Sequence, residues 1–386
     1  MKTPIYLDHN ATTPVDKRVL DVMLPYFSEK FGNASSRTHS FGWIAADAVK
    51  TARQHVADLI NCLDQEIIFT SGATEAINLA LKGVWDNYQI KGKHIITSKT
   101  EHKAVLDTCT ALEKRGAEIT YLDVDREGII DLDGLKKALS AQTILVAIMY
   151  ANNETGVLQP ISEIAALVHA NNTIFFCDAT QAIGKINIDV QQEHIDIMCL
   201  SAHKFYGPKG VGALFVRRKD PRVSLYAQID GGGHERGLRS GTLNVTGIVG
   251  LGKSCEIAKQ EMWDNAVKIS RLRTLLEQHL CELPDVFING STKNRLFTTA
   301  NICFQGIRSE TLISTIPNIA VALGSACTSA IAMPSHVLKA MGLSDDDAYS
   351  SIRFSLGKNT TETEIKKTIE QFTEIVNRMR PSSFLN

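Results

Sequence analysis

Between about residues 66 and 217 the chain alternates short β-branched and apolar runs with stretches whose apolar positions recur every three to four residues. Ile67 to Thr70, His94 to Thr97, Glu118 to Leu122, Thr143 to Met149, Thr173 to Cys177, Ile195 to Leu200 and Gly212 to Val216 read as seven strands. The intervening stretches read as helices with identifiable ends. Val105, Cys109 and Leu112 share one helical face, and Lys114-Arg115-Gly116 supplies a basic last turn and a glycine stop. Asp131 is placed to cap the next helix, whose apolar face carries Leu132, Leu135 and Leu139. Strand-helix alternation of this kind predicts an α/β fold, with a largely parallel sheet covered on both faces.

After Thr242 the pattern changes. Val245 to about Leu280 reads as one long helix, followed by separate strands over Thr298 to Phe304, Ala320 to Leu323 and Ser350 to Ser355. A last helix begins at Thr361, with Glu364 at capping-box spacing and Ile365, Ile369, Phe372 and Val376 along one side. These elements predict a smaller α+β C-terminal domain. No internal repeat, low-complexity tract or Pro/Ser-rich linker interrupts the chain.

Composition narrows the possibilities. At 386 residues the chain can bury an ample core. With 41 Lys and Arg against 42 Asp and Glu, the net charge of -1 gives no global electrostatic case for nucleic acid. The start, Met1-Lys2-Thr3-Pro4-Ile5-Tyr6-Leu7-Asp8, is not a signal peptide, and no segment approaches membrane-spanning length. The eight cysteines are scattered, no two closer than 22 residues, which leaves no zinc or iron-sulfur spacing and no expected metal. Cys177, Cys199 and Cys303 lie in apolar runs, as reduced thiols of a cytoplasmic protein would.

Two segments carry candidate chemistry. Lys204 lies in Ser201-Ala202-His203-Lys204-Phe205-Tyr206-Gly207-Pro208-Lys209-Gly210, a tight turn between two apolar strands, and Asp178-Ala179-Thr180-Gln181 ends an earlier strand. Pyridoxal-phosphate chemistry needs a lysine amine to hold the aldehyde as a Schiff base, a carboxylate for the pyridinium nitrogen, and small donors around the phosphate. These segments offer all three at strand ends, where ligands of open α/β sheets bind. The second segment is Gly324-Ser325-Ala326-Cys327-Thr328-Ser329-Ala330. Small residues on both sides of Cys327 suit an exposed, reactive thiol better than a structural one.

These residues belong to a longer series: Tyr6-Leu7-Asp8-His9-Asn10-Ala11-Thr12-Thr13-Pro14, Phe31-Gly32-Asn33, Thr70-Ser71-Gly72-Ala73-Thr74-Glu75, Thr100-Glu101-His102, Asn152-Asn153-Glu154-Thr155-Gly156, Gly231-Gly232-Gly233-His234-Glu235 and Arg239-Ser240-Gly241-Thr242. With the Asp178, Lys204 and Cys327 segments, the series resembles the NifS/IscS-type cysteine desulfurases of the class V aminotransferase family, nearly end to end. The form of the Cys327 segment is similar to the branch with a long, mobile cysteine loop.

The resemblance implies a fold-type I pyridoxal-phosphate enzyme. Its large domain would span 16–257, around a mainly parallel seven-stranded sheet, and a small domain of 1–15 and 258–386 would carry the cysteine loop. Ala73 and Thr74 would cradle the phosphate at a helix N-terminus with Ser201 and His203, and Thr242 would reach it from the other subunit of a homodimer. His102 would stack on the cofactor ring and move protons, Asp178 would pair with the ring nitrogen, and Gln181 would donate to the phenolic oxygen. Asn153 and Arg353 would hold the substrate carboxylate, a task suited to the planar guanidinium fork. Lys204 and His102 would handle the Cα proton of L-cysteine. Cys327 would take its sulfur as a persulfide, release L-alanine, and pass the sulfur to an acceptor protein.

Ala34 stands where the family usually has proline after Phe-Gly-Asn, and Ala202 where it usually has glycine before His-Lys. The sequence stops at Pro381-Ser382-Ser383-Phe384-Leu385-Asn386, whereas housekeeping IscS-type members continue with a tail that resembles a docking strip for the iron-sulfur scaffold. That leaves a tRNA-thiolation relay protein or another acceptor beside the scaffold. Selenocysteine lyase and class V aminotransferase are the rival activities, and a sulfur-relay binding protein the rival without turnover. Transamination needs no protein thiol, so the Cys327 segment argues against the aminotransferase.

Overall fold

The computed structural model describes residues 4–323 and 333–380, so the Cys327 segment lies outside the described residues. The strands are β1 (Ile5–Tyr6), β2 (Ile67–Thr70), β3 (His94–Ser98), β4 (Glu118–Leu122), β5 (Thr143–Met149), β6 (Ile174–Asp178), β7 (Ile197–Ser201), β8 (Gly212–Val216), β9 (Val286–Ile288), β10 (Thr299–Phe304), β11 (Ile319–Ala320), β12 (Ala322–Leu323) and β13 (Ser351–Ser355). The helices are α1 (Lys17–Met23), α2 (Pro25–Ser28), α3 (Ser40–Ile60), α4 (Ala73–Tyr88), α5 (Lys103–Glu113), α6 (Leu132–Ala138), α7 (Ile161–Ala170), α8 (Val245–Leu280), α9 (Ser309–Ser314), α10 (His336–Ala340), α11 (Asp345–Tyr349) and α12 (Glu362–Met379).

Seven strands form the main sheet in the order β2-β8-β7-β6-β5-β3-β4. Only β8 runs antiparallel to its neighbours. Alternate residues feed two cores. Phe69, Val146, Phe175, Met198 and Phe215 pack under α3, α7 and the first half of α8, while Ile68, Leu145, Phe176, Ile197 and Leu214 pack under α4 and α5. Burial on both faces explains why these strands read as continuous apolar runs, each large side chain contributing about 1.5–3 kcal/mol of transfer free energy.

Helix ends follow their sequence signals. The Asp131 carboxylate accepts from Asp133 N at 3.0 Å, and Thr361 and Glu364 form the reciprocal capping box of α12. α8 has 36 residues and, at 1.5 Å per residue, runs about 54 Å. Its Ile248, Leu251 and Cys255 belong to the main core. Ile269, Leu272, Leu276 and Leu280 belong to a separate core with Leu7, Phe304, Phe354 and Phe372. This second core lies beneath the four-stranded sheet β12-β13-β10-β9.

The run Ala320 to Leu323 differs from expectation. It divides into β11, parallel to β1, and β12, antiparallel to β13. Hydrogen-bonding groups of successive residues point to opposite edges of a strand, so the chain changes partners across Val321 and one apolar run serves two sheets. The partner it gains, β1, begins an N-terminal arm that continues to the carboxyl ends of the main strands.

Candidate active site

The carboxyl ends of β2, β5, β6 and β7 border a cavity of about 590 Å³. Ala73, Thr74, His102, Asn153, Asp178, Gln181, Ser201, His203, Lys204 and Arg353 all line it. Thr242 does not line it and is exposed.

At one end α4 begins. Gly72 is its cap, at φ 154, with no side chain to satisfy the first N–H groups. Those groups are left available at the positive end of a 16-residue helix. The turn is held close to the sheet by Gly212, where an added Cβ would lie 2.8 Å from Gly72 Cα. Glu75 bonds Ser71 N at 2.8 Å and receives Arg239 Nε at 2.8 Å, which fixes the turn from outside. Ser201 closes β7 beside it, and His203 Nδ1 lies 3.2 Å from Thr12 Oγ1. Burial, with Lys204 and Lys209 nearby, lowers the His203 ring to about 4 and keeps it neutral at physiological pH.

At the other end Asp178 is the last residue of β6 and only 5 % exposed. Its Oδ1 accepts from Thr180 N at 2.9 Å and from Cys199 Sγ at 3.2 Å. No cation pairs with this carboxylate among the described residues. Gln181, also 5 % exposed, donates Nε2 to Asn10 O at 3.0 Å.

Lys204 ends a short 3-10 turn that starts at the fully buried Ala202. Its amine donates to Asn10 O at 2.6 Å and Ala11 O at 2.9 Å. Burial, reinforced by the Arg353 charge and opposed by Asp178 and Asp8, lowers it to about 8. His102 caps α5, and its Nδ1 accepts Ala104 N–H at 3.1 Å. That bond leaves Nε2 as the ring nitrogen able to hold a proton in the neutral form.

On the remaining side, Arg353 of β13 donates Nη2 to Asp8 Oδ1 at 2.7 Å and Nη1 to Asn153 O at 3.0 Å, while its buried Nε has no partner among the described residues. Asn153 is presented by a turn in which Asn152 Oδ1 accepts from Glu154 N at 2.8 Å and Thr155 N at 3.0 Å. The Glu154 carboxyl receives Ser335 Oγ at 2.5 Å.

Asn10 was not singled out from its motif, yet its Nδ2 donates to Asn153 O at 3.1 Å and Thr299 Oγ1 at 2.9 Å while its carbonyl takes both Gln181 and Lys204. The support of Asp178 by Cys199 also escaped sequence reasoning. No sequence signal marks it, because the two residues are aligned only by the register of neighbouring parallel strands.

A family model for class-V aminotransferases matches residues 5–368. The chain belongs to the class-V aminotransferase family. The chain is 54 % identical over 384 residues to cysteine desulfurase IscS of Anaeromyxobacter sp. (strain Fw109-5), covering 99 % of this chain and 95 % of the relative. Among solved structures it is similar to a NifS-like protein with a TM-score of 0.91 and 39 % identity, covering 97 % of this chain and all of that one. It is also similar to SspA in complex with cysteine, with a TM-score of 0.81 and 37 % identity over 92 % of this chain and all of that one.

Among the described residues, no cluster of three or more His, Cys, Asp or Glu converges to hold a metal ion. No described helix is long and apolar enough to cross a membrane.

Proposed function

We propose that the chain is a pyridoxal-phosphate-dependent cysteine desulfurase that removes sulfur from L-cysteine, releases L-alanine and carries the sulfur on Cys327. The observation that carries this reading is the convergence in one cavity of a buried carboxylate that pairs with no cation among the described residues, a helix N-terminus without a side-chain cap and a lysine amine with a lowered pKa. These residues fit the cofactor. Asp178 would face the pyridinium N–H. The N–H groups of Ala73 and Thr74, with Ser201 and His203, would receive the phosphate. Gln181 would donate to the phenolic oxygen, and Lys204 would hold the aldehyde. When bound, the cofactor supplies an electron sink that acidifies the Cα proton of an amino acid and loosens the group on Cβ.

The protein's own residues do the rest. Arg353 and Asn153 would orient the substrate carboxylate, with Asp8 holding the guanidinium fork in place. Lys204, partly neutral at physiological pH, would take the Cα proton, and the Nε2 side of His102 would hold or return one. The Cys327 thiolate would attack the substrate sulfur, the S–S bond forming as the Cβ–S bond breaks, and the carbon skeleton would keep that electron pair and take up protons to leave as L-alanine. The role of Cys327 is favoured by the other seven cysteines, each pushed above the ordinary thiol range by burial. Five of them are buried and Cys62 and Cys281 partly exposed, but none has a lowered pKa that would favour the thiolate.

A homodimer would cover the exposed Leu24, Phe27, Phe31, Phe41 and Trp43 of α1 to α3 and their connections, of which Phe31 and Phe41 pack together. In it, exposed Thr242 would reach the partner's phosphate end. The division into two domains, of 16–257 and of 1–15 with 258–386, is favoured by the passage of α8 from one core to the other, although Ala258 and Met262 still pack in the first core and the crossover falls between Met262 and Ile269. A cytoplasmic location and a protein sulfur acceptor, either an iron-sulfur scaffold or a tRNA-thiolation relay, complete the proposal.

The test is mass spectrometry after incubation with L-cysteine, with alanine measured in parallel. One added sulfur is expected on Cys327 alone. Cys327→Ser should retain the cofactor's absorbance and lose persulfide and sulfur transfer. Full alanine production by that variant, or a persulfide on another cysteine, sinks the assignment.

A further inference from the structure

One amine beside the site has no place in the chemistry above. Lys185 lies in the turns that follow β6, and its Nζ makes a single hydrogen bond among the described residues, to Gln181 Oε1 at 3.1 Å. The bond spans i to i+4 along the segment from Asp178, so both ends are set by the same chain turn.

We propose that Lys185 is a positioning residue that fixes the orientation of the Gln181 amide, so that Nε2 and not Oε1 is presented to the cavity. This rests on the proposed facing of Gln181 toward the phenolic oxygen of the cofactor. An amide has one accepting end and one donating end, and its rotation by a half-turn exchanges them. With Oε1 held by the Lys185 amine, Nε2 is left for Asn10 O, which it meets at 3.0 Å. A flipped amide would set Oε1 against the Asn10 carbonyl, two acceptors face to face, and deprive the Lys185 amine of its acceptor.

The two ends of this clamp are unequal. Asn10 O also receives the Lys204 amine at 2.6 Å, so its demand on Gln181 changes whenever Lys204 moves. Lys185 is the end that stays constant. Burial, with the Lys204 and Arg353 charges nearby, lowers its amine to about 7, and both protonation forms keep N–H donors for Oε1. A half-buried amine with one acceptor holds that acceptor, because losing it would leave the amine desolvated with nothing in exchange.

The test has two readouts. In the apoprotein labelled with 15N, the Gln181 side-chain amide is identified by the signal lost in Gln181→Ala. Lys185→Met should shift that signal, and Lys185→Arg should restore it. Lys185→Leu serves as a second apolar replacement should the methionine variant fold poorly. In the holoenzyme, Lys185→Met and Gln181→Ala should alter the resting cofactor absorbance in the same direction, and the double variant should go no further than Gln181→Ala alone. Turnover of L-cysteine should fall about 3- to 10-fold, the worth of one hydrogen bond, with KM unchanged. An unmoved Gln181 signal in Lys185→Met, or additive spectral effects in the double variant, overturns the proposal. If Gln181→Ala itself leaves the absorbance unchanged, the facing of Gln181 toward the cofactor fails instead, and the apoprotein signal still decides what Lys185 holds.

Discussion

The part of the cavity suited to cofactor is assembled at or just beyond strand ends of one sheet: Ser71 to Thr74 after β2, Asp178 closing β6, Ser201 closing β7 and Lys204 just beyond it. The part suited to a substrate carboxylate is drawn from remote places. Hydrogen bonds spanning 143, 200 and 345 residues join Asn10 to Asn153, Arg353 to Asn153, and Arg353 to Asp8. The first kind of site is inherited from the sheet, whose register sets each side chain. The second exists only after distant loops have closed, at an entropic cost that local structure does not repay.

The contrast can be broken most severely at Lys204, whose amine is bonded to the arm from the sheet side. Lys204→Ala should abolish alanine formation, measured with saturating L-cysteine, because both amine capture and proton transfer are lost. Residual turnover above the background without enzyme would reassign the lysine.

Arg353→Ala sharpens the contrast, because it removes the substrate side and leaves the sheet ends intact. Two charge-assisted hydrogen bonds of the kind it would make to a carboxylate are worth about 1.5–3 kcal/mol each. KM for L-cysteine should therefore rise at least about 10-fold, while the absorbance of bound cofactor stays as in the wild type. A changed absorbance would mean that the two sides are not separable.

The last effect is a pH dependence on the sheet side alone, which changes the rate of capture and leaves the finished site intact. The amine of Lys204 is lowered to about 8, and only its neutral form captures an aldehyde. Capture of pyridoxal phosphate by the apoprotein, followed by absorbance, should rise roughly tenfold per pH unit up to about 8 and then level. The sign follows from the direction of the shift, since a lowered pKa brings the neutral form to lower pH. A profile that keeps climbing through pH 10 would mean that burial leaves the amine unperturbed.

Sequence made the sheet side legible because its signals are local. Four strands, Ile67–Thr70, Glu118–Leu122, Thr143–Met149 and Gly212–Val216, coincide with their apolar runs residue for residue. Asp178 and Ser201 proved to be strand residues where the runs suggested the following loops, because both continue the ladder beyond the last large apolar residue. β1 left little trace, since two residues carry no period. The roles of Asn10 and Lys185 were hidden for a different reason. A backbone carbonyl that accepts from two side chains, and an amine that holds an amide, depend on tertiary proximity and produce no periodic pattern. The Arg353 and Asp8 pair was half visible: Arg353 stood out as a charge in an apolar run, but nothing in the run named a partner 345 residues earlier.

The N-terminal arm has a consequence for how the molecule is made. Ile5 and Tyr6 pair with residues 319 and 320, and Asp8 bridges Ser355, so a segment made before the main sheet has partners made after it. At about 5–20 residues per second, the ribosome needs roughly 20–70 seconds to travel from Asp8 to Arg353. Through that interval the strands of the main sheet emerge in order and Lys204 is already present, while the carboxylate of Asp8 still lacks the Arg353 guanidinium it pairs with. The substrate side of the cavity therefore cannot close before Arg353 is made, and the arm is the stitch that joins it to the sheet.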